Sequence, residues 1–182
     1  MDGLFGLVKR GHLPQRGGID IHEGEEVDES ENWRVEVSDA EKSITQVVES
    51  YKSAVFAKDV GAFMRLYDPS VRVFDAWGVW SYESAEAWQR AVEGWFTSLG
   101  TERVKVTFDE VRTTVGRDFA IVSAIVTYAG ISAQGEQLRT MQNRITWGLR
   151  TIGHVLRIVH EHTSAPVGFD DSKAILQRES TS

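Results

Sequence analysis

Ionisable side chains crowd into two extended stretches in the last quarter of the chain. His160, Glu161 and His162 stand consecutively within residues 158–166, and Arg144 and Thr146 stand within residues 143–147. Buried charge is costly unless it is paired or used. Such a density of ionisable side chains inside a β-like pattern indicates a ligand cavity. These residues alone do not identify the ligand.

The elements before these stretches read as three helices and a short strand. Ser38 and Glu41 form a capping-box pattern, and apolar residues then recur at helical spacing up to about residue 58. Asp59 is expected to cap a short second helix that ends at residues 68–69. Residues 71–74 alternate like a strand, and residues 84–99 predict a third helix that ends before Gly100.

Everything after residue 102 predicts β-structure. Residues 104–108, 138–149 and 155–163 alternate between apolar and polar, and turn residues separate them as in antiparallel hairpins. Residues 119–128 are apolar on both faces, with Phe119, Ile121 and Ile125 on one of them. Since helices can cover one face only, we expect a second subunit on the other, and therefore a homodimer or a higher homo-oligomer. The order of elements predicts an α+β fold.

Composition restricts the partners. The 182 residues suit one domain with an appendage, and the absence of cysteine excludes disulfides and thiolate metal sites. Residues 1–37 carry nine of the 27 acidic residues, which predicts a mobile acidic extension before a domain at 38–169 and a tail at 170–182 with a short helix. With no basic stripe, no apolar run of bilayer length and no secretory leader, we expect a cytoplasmic protein that binds neither nucleic acid nor membrane.

The sequence resembles the nuclear transport factor 2-like superfamily over roughly residues 40–168. The likeness rests on residues 66–69, 73–76 and 144–147 and above all on residues 159–166. It is strongest to the SnoaL-like group and to the association domain of calcium/calmodulin-dependent protein kinase II. The resemblance implies a cystatin-like fold, in which a cone-shaped, curved antiparallel sheet wraps around three N-terminal helices and leaves a pocket at its open end. Activities in this superfamily vary, so function must be argued from the site.

Asp75 is the expected general base. It follows the first strand, where the resemblance places the mouth of the cone, and apolar neighbours such as Phe74 and Trp77 should raise its pKa. Tyr51 with Asp75 resembles the oxyanion donor and general base of ketosteroid isomerase. Ketosteroid isomerase also has a second, protonated acid on a later strand. The nearest equivalent of that acid here is Asn143, whose amide is a weaker hydrogen-bond donor. The alternatives are an ordinary turn carboxylate for Asp75 and a core tyrosine for Tyr51.

The last strand offers two sets of side chains. His160 and His162 share one face, and Glu161 and Thr163 share the other. Two histidines are too few ligands for a catalytic metal, so no cofactor is expected, and a cross-strand structural role is the alternative. The association domain of the kinase, its oligomeric hub, has a carboxylate-binding pocket with two arginines. The resemblance to this hub assigns Arg144 to one of these positions, while Thr163 stands at the position of the other arginine. Arg144 could instead pair with Glu161, and either face could line the pocket.

Aromatic residues suggest the ligand's character. Trp77, Trp80 and Trp88 lie between the first strand and the end of the third helix, as does Trp95. Indole rings near a pocket mouth suit a flat apolar or aromatic molecule. Core packing is the alternative, which we adopt for Trp95.

Two functions from different classes follow. The first is a cofactor-independent proton-transfer enzyme of the isomerase, cyclase or lyase type, with Asp75 as base on a small apolar or aromatic carbonyl compound. Tyr51, Asn143 or Arg144 would then stabilise the developing oxyanion. The second is a non-catalytic oligomerisation or ligand-binding module that resembles the kinase hub.

Overall fold

The computed structural model describes residues 29–153 and 155–178, with the backbone alone for residues 29–38. Three helices precede a five-stranded sheet. The elements are α1 (Glu29–Ala57), α2 (Val60–Met64), β1 (Tyr67–Phe74), α3 (Ala85–Ser98), β2 (Arg103–Val115), β3 (Phe119–Ile131), β4 (Gln137–Ile152) and β5 (Val155–Ser164). Most of the proposed acidic extension, residues 1–28, lies outside the described residues, as do His12, His22 and His154.

The first helix is longer than predicted. It begins at Glu29, so the chain continues as helix through Ser38 and the capping-box prediction is wrong. Residues 29–37, assigned to the extension, belong to this helix. The capping-box residues Ser38 and Glu41 therefore lie inside α1 and do not mark its start.

The other two helices begin where their caps predict. The side chain of Asp59 accepts a hydrogen bond from the Ala62 N–H at 2.8 Å, and that of Ser84 accepts one from the Ala87 N–H at 3.2 Å. Burial of Trp88, Val92 and Phe96 fixes the inner face of α3. These contacts hold α3 against the sheet.

The strands lie in the order β1-β5-β4-β3-β2. The predicted antiparallel hairpins β2–β3, β3–β4 and β4–β5 are present, whereas β1 pairs with β5 in parallel. The sheet is therefore mixed at one edge rather than wholly antiparallel. Register shifts interrupt all four pairings, and bulges of this kind bend strands and increase their twist, which curves the sheet around the helices.

The core fills the concave side of the sheet. Alternate residues of β3 (Ala120, Val122, Ala124 and Val126) are buried there, together with Ile145, Trp147 and Leu149 of β4. The other face of β3 leaves Phe119 at 53% and Ile121 at 46% exposure. Both faces of β3 are thus apolar, but only the inner one is covered within the subunit.

The segment after β5 is not helical in its described part. Residues 169–171 form a turn, and residues 172–178 are mostly irregular. An isolated bridge joins Val167 to Ala174, and the Gln142 N–H donates to the Leu176 carbonyl at 2.7 Å. The predicted short helix is therefore wrong for these residues. Among the described helices, none is both long enough and apolar enough to span a membrane.

Candidate functional site

A cavity of about 480 Å³ lies between the concave face of the sheet, α1 and α3. Its walls are mostly apolar and aromatic, and a few polar groups converge on it. The polar and ionisable lining residues are Tyr51, Asp75, Tyr82, Tyr128, Arg139, Thr140, Asn143, Glu161 and Thr163. A pocket of this size and character accommodates a small organic molecule.

Asp75 lines this cavity just beyond the end of β1. The Thr163 hydroxyl donates to its Oδ1 at 2.7 Å and in turn accepts from the Ala76 N–H at 2.8 Å. The Thr163 oxygen already accepts a hydrogen bond from the Ala76 N–H. Its own proton therefore points at Asp75. Burial raises the pKa of Asp75 above its ordinary value, and the hydrogen bond from Thr163 opposes the rise.

Glu161 of β5 is the most deeply buried ionisable group on the cavity wall, with 1% of its surface exposed. Its Oε2 accepts a hydrogen bond from the Tyr67 hydroxyl at 2.6 Å and another from Trp147 Nε1 at 2.8 Å. Burial raises its pKa to about 7, although both hydrogen bonds favour the carboxylate. A carboxyl group with this pKa exchanges a proton readily near neutrality.

Two tyrosines extend the polar wall. The hydroxyls of Tyr51 on α1 and Tyr128 on β3 are 2.9 Å apart. Burial raises the pKa of both phenols, and the charge of Glu161 adds to the effect. Both therefore stay neutral over the physiological range, where a phenol can donate a hydrogen bond.

The tryptophans divide between the cavity and its exterior. Trp88 and Trp95 line the cavity from α3, and Trp77 lies at its mouth with 48% exposure. Trp95 packs against the core as expected but also faces the cavity, so its assignment to the core alone is incomplete. Trp80, by contrast, is 97% exposed. It lines an adjoining outer hollow with Arg72, Phe74 and His162. This hollow shares Asp75, Trp77 and Thr163 with the main cavity, so a ligand-binding role for Trp80 stays a prediction.

The loop that carries Trp77 and Trp80 is fixed at both ends. Gly78 adopts φ 82°, a left-handed conformation that favours glycine, and this turns the chain back on itself. Val73 and Tyr82 then exchange two backbone hydrogen bonds of 2.9 Å. The mouth of the cavity is thus closed on one side by a pinned loop.

Three predicted ligand-binding residues point away from the cavity. Arg144 is exposed and pairs in register with Ser164, and His160 and His162 share its outer face. His160 Nδ1 lies 2.9 Å from the Arg72 carbonyl, and the Phe74 ring packs edge-on against both imidazoles. None of the three lines the main cavity, but His162 lines the adjoining outer hollow, and a ligand-binding role for these residues stays a prediction. The alternative pairing of Arg144 with Glu161 is wrong, because the two side chains lie on opposite faces of the sheet. Strand alternation puts Glu161 and Thr163 inside.

Two enclosed polar atoms of the cavity wall lack partners within the described residues. Oδ1 of Asn143 and Nε1 of Trp88 make no hydrogen bond there, although both residues are buried. Such atoms are uncommon in folded proteins and destabilise them. Asn143 thus joins Asp75 and Tyr51 in one cavity, as their predicted roles require, but among the described residues no hydrogen bond links the three.

The hydrogen-bonded centre of the site was not anticipated. Tyr67, Tyr128 and Trp147 were not proposed as site residues, and Glu161 was expected only to contact a ligand. Each of the three is a polar aromatic residue inside an apolar β-pattern. Because a buried hydroxyl or indole N–H requires a partner, that pattern was the signal available in the sequence.

The comparisons with known proteins agree on a fold family. A family model described as the SnoaL-like domain matches residues 44–168. No curated protein sequence matches the chain.

Solved structures share the same architecture. A nuclear transport factor 2-like protein of unknown function from Pseudomonas putida is 22% identical with a TM-score of 0.68, over 78% of this chain and 97% of that one. A nuclear transport factor 2-like superfamily protein from Salmonella enterica is 16% identical with a TM-score of 0.60, over 76% of this chain and 99% of that one. A putative calcium/calmodulin-dependent protein kinase II association domain from Xanthomonas campestris is 16% identical with a TM-score of 0.58, over 68% and 85%. At these identities the likeness concerns the fold alone.

Proposed function

Because the chain belongs to the SnoaL-like domain family, we propose that its cavity binds a small apolar or aromatic carbonyl compound and that Asp75 acts on it as a general base. The observation that carries the proposal is the position of Asp75. It is a carboxyl group in the cavity wall whose pKa burial raises, held in one orientation by Thr163. Such a carboxylate accepts a proton near neutrality better than an exposed one does.

The walls support this class of ligand. Trp88 and Trp95 offer flat apolar surfaces, and Val92, Leu99 and Val104 complete the apolar lining. Most of the polar groups come from the strands or their ends, and Tyr51 joins them from α1. A ring system can therefore lie along α3 while its carbonyl group meets the hydrogen-bonding wall.

The reaction would be a proton transfer next to that carbonyl. The Asp75 carboxylate takes a proton from the carbon beside the carbonyl and later returns it to the same or a neighbouring carbon. The negative charge that develops on the carbonyl oxygen would be stabilised by a neutral donor. In the hydrogen-bonded pair of Tyr51 and Tyr128, one hydroxyl donates to the other, and the second can donate to this oxygen. The chemistry uses side chains alone, and it covers isomerisation, cyclisation and elimination of a β-substituent.

The test is solvent exchange of a model ketone. 2-Tetralone has acidic hydrogens beside its carbonyl, and their replacement by deuterium in heavy water is followed by NMR. We expect the wild-type protein to accelerate this exchange and Asp75→Asn to slow it by about 10²- to 10⁴-fold, the usual contribution of a general base.

Two controls make the result decisive. Asp109→Asn removes an exposed carboxyl group on β2 and should leave the rate unchanged. Binding of 2-naphthol, which has the shape of the tetralone enol, should persist in Asp75→Asn and show that the cavity is intact. Equal exchange rates for Asp75→Asn and the wild type would refute the proposed base.

A second role, as an assembling module, has its own support. Phe119 and Ile121 are about half exposed on the outer face of β3, and Ile125 lies partly buried on the same face. A second copy of the chain would remove this apolar surface from water. We expect a homodimer by native mass spectrometry and a monomer for Ile121→Lys, with Thr97→Lys at an exposed position of α3, away from the outer face of the sheet, as the control for added charge. A wild-type monomer at micromolar concentration would exclude this role.

A further inference from the structure

We propose that Glu161 works opposite Asp75 as the catalytic acid: its Oε1 holds a proton towards the cavity and passes it to the carbonyl oxygen of the ligand. This inference rests on the proposed function above. It assigns a second catalytic residue and requires the ligand to present its carbonyl oxygen to β5.

The hydrogen bonds locate the proton of Glu161. Tyr67 and Trp147 both direct donors at Oε2, at 2.6 and 2.8 Å. An indole N–H can only donate, and the Tyr67 phenol stays protonated because burial raises its pKa. With two donors already aimed at Oε2, the proton of the neutral acid belongs on Oε1.

Oε1 is also the oxygen that a ligand can reach. It accepts no hydrogen bond from any described residue, yet it is not one of the fully enclosed polar atoms that lack a partner. Glu161 lines the cavity, so this oxygen keeps its contact with the cavity space. The two donors on Oε2 fix the plane of the carboxyl group and thereby the direction of the Oε1 proton.

The surroundings favour the protonated form of Glu161. The titratable groups that face it are Tyr51 of α1, Tyr67 of β1, Tyr128 of β3 and Asp75 beyond the end of β1. None of these carries positive charge, and Arg139 on the cavity wall is paired with Glu102 at 2.6 Å. Glu161 makes no ion pair within the described residues. The neighbouring His160 and His162 lie on the opposite face of β5. Burial therefore acts without a cation to offset it, and the pKa of Glu161 lies at about 7.

The proton inventory of the step balances. The Asp75 carboxylate removes a proton from the carbon beside the carbonyl, and the electron pair of that C–H bond becomes the enol double bond. The carbonyl oxygen receives the proton from Glu161 Oε1, which leaves a glutamate carboxylate. In the second half the enol O–H returns its proton to Glu161, while Asp75 delivers its proton to carbon.

The first experiment needs no ligand. Infrared spectra of the wild-type protein at pH 6 should contain the carbonyl stretch of a buried protonated carboxylic acid. This band should fade as the pH rises through about 7, and it should be absent from Glu161→Gln. Glu93→Gln, which alters an exposed glutamate on α3 away from the cavity, should keep the band. A wild-type spectrum at pH 6 without the band, or a band that survives in Glu161→Gln, would overturn the assignment of the proton.

The second experiment tests catalysis. Glutamine can still accept the bonds from Tyr67 and Trp147 and point its amide into the cavity, but it cannot give up a proton. In the 2-tetralone assay, Glu161→Gln should therefore slow exchange by roughly 10²-fold or more and abolish the fall in wild-type rate above pH 7.

The outcomes separate the two proposals. Loss of exchange in Asp75→Asn with an unchanged rate and pH profile in Glu161→Gln would refute the acid and leave the base in place. A wild-type protein that does not accelerate exchange would overturn the base and, with it, the catalytic part of this inference.

Discussion

Strands β4 and β5 carry two rows of polar side chains, one on each face of the sheet. Members of the two rows are neighbours along the chain, because successive residues of a strand point to opposite faces. The inner row is Asn143, Trp147, Glu161 and Thr163, and the outer row is Arg144, Thr146, His160 and His162. The outer row carries the more conspicuous chemical groups, but its members are exposed or half-buried. The inner row has a single ionisable group, and that group has a pKa of about 7. Residue type therefore indicates chemistry less reliably than burial does.

The physical cause of the difference is water. On the outer face, solvent screens each charge, and an exposed pair contributes little. On the inner face, desolvation alters the proton affinity of Glu161, and every donor nearby must find an acceptor. Substitutions at matched positions in the two rows should therefore have unequal effects.

The largest contrast concerns stability. Glu161→Ala removes the acceptor of two buried donors, Tyr67 and Trp147, and each unsatisfied donor costs roughly 1–3 kcal/mol. We expect the free energy of unfolding, measured in urea, to fall by about 3–5 kcal/mol. His162→Ala, in the outer row, should lower it by less than about 1 kcal/mol. Equal losses would show that the two rows do not differ in the way described.

The next contrast concerns pH. In the unfolded chain Glu161 has an ordinary pKa near 4.5, and in the folded protein its pKa is about 7, so the folded state binds the extra proton between these values. The stabilisation is complete below about pH 4.5 and is lost as the pH rises to about 7, an effect of about 3 kcal/mol.

Urea titrations at a series of pH values check this dependence. Glu161→Gln, which cannot ionise, should lose that slope, whereas His162→Gln should retain it. A slope that is the same in Glu161→Gln and the wild type would assign the titration to another group.

The smallest contrast uses one substitution at two sites. Thr163→Val removes the hydroxyl that donates to Asp75 and should destabilise the fold by about 1–2 kcal/mol, since it also leaves the Ala76 N–H without its acceptor. Because that hydrogen bond lowers the pKa of Asp75, its loss should raise the pKa further. Thr146→Val in the outer row should change stability by at most about 0.5 kcal/mol.

The carboxyl carbon of Asp75, followed by NMR as the pH is changed, reports the shift. Thr146→Val should leave this titration where it is in the wild type. An unmoved titration in Thr163→Val would mean that Thr163 does not tune the base.

Much of the fold could be predicted from the sequence. The β2–β5 hairpins follow from alternation and turns, and Asp59 and Ser84 mark the starts of their helices. The parallel pairing of β1 with β5 could not be predicted, because it depends on contacts between strands that are distant in the chain. The start of α1 at Glu29 was missed because a favourable capping box also fits within a longer helix.

The site was predictable in part for a related reason. Asp75, Tyr51 and Asn143 do share one cavity, but the faces of β4 and β5 could not be assigned. Period-two alternation defines two rows without saying which is inside, and a single bulge exchanges them. The register shift between Gly148 and Leu149 is such a bulge, and it leaves Trp147 opposite Glu161.

The most direct test of the central claim is a crystal structure of the protein with 2-naphthol. We expect the rings in the inner cavity against Trp88 and Trp95, the hydroxyl oxygen within hydrogen-bonding distance of Glu161, and Asp75 beside the adjacent ring carbon. Naphthol bound only in the outer hollow next to Trp80 and His162, or in the cavity with Asp75 out of contact, would contradict it.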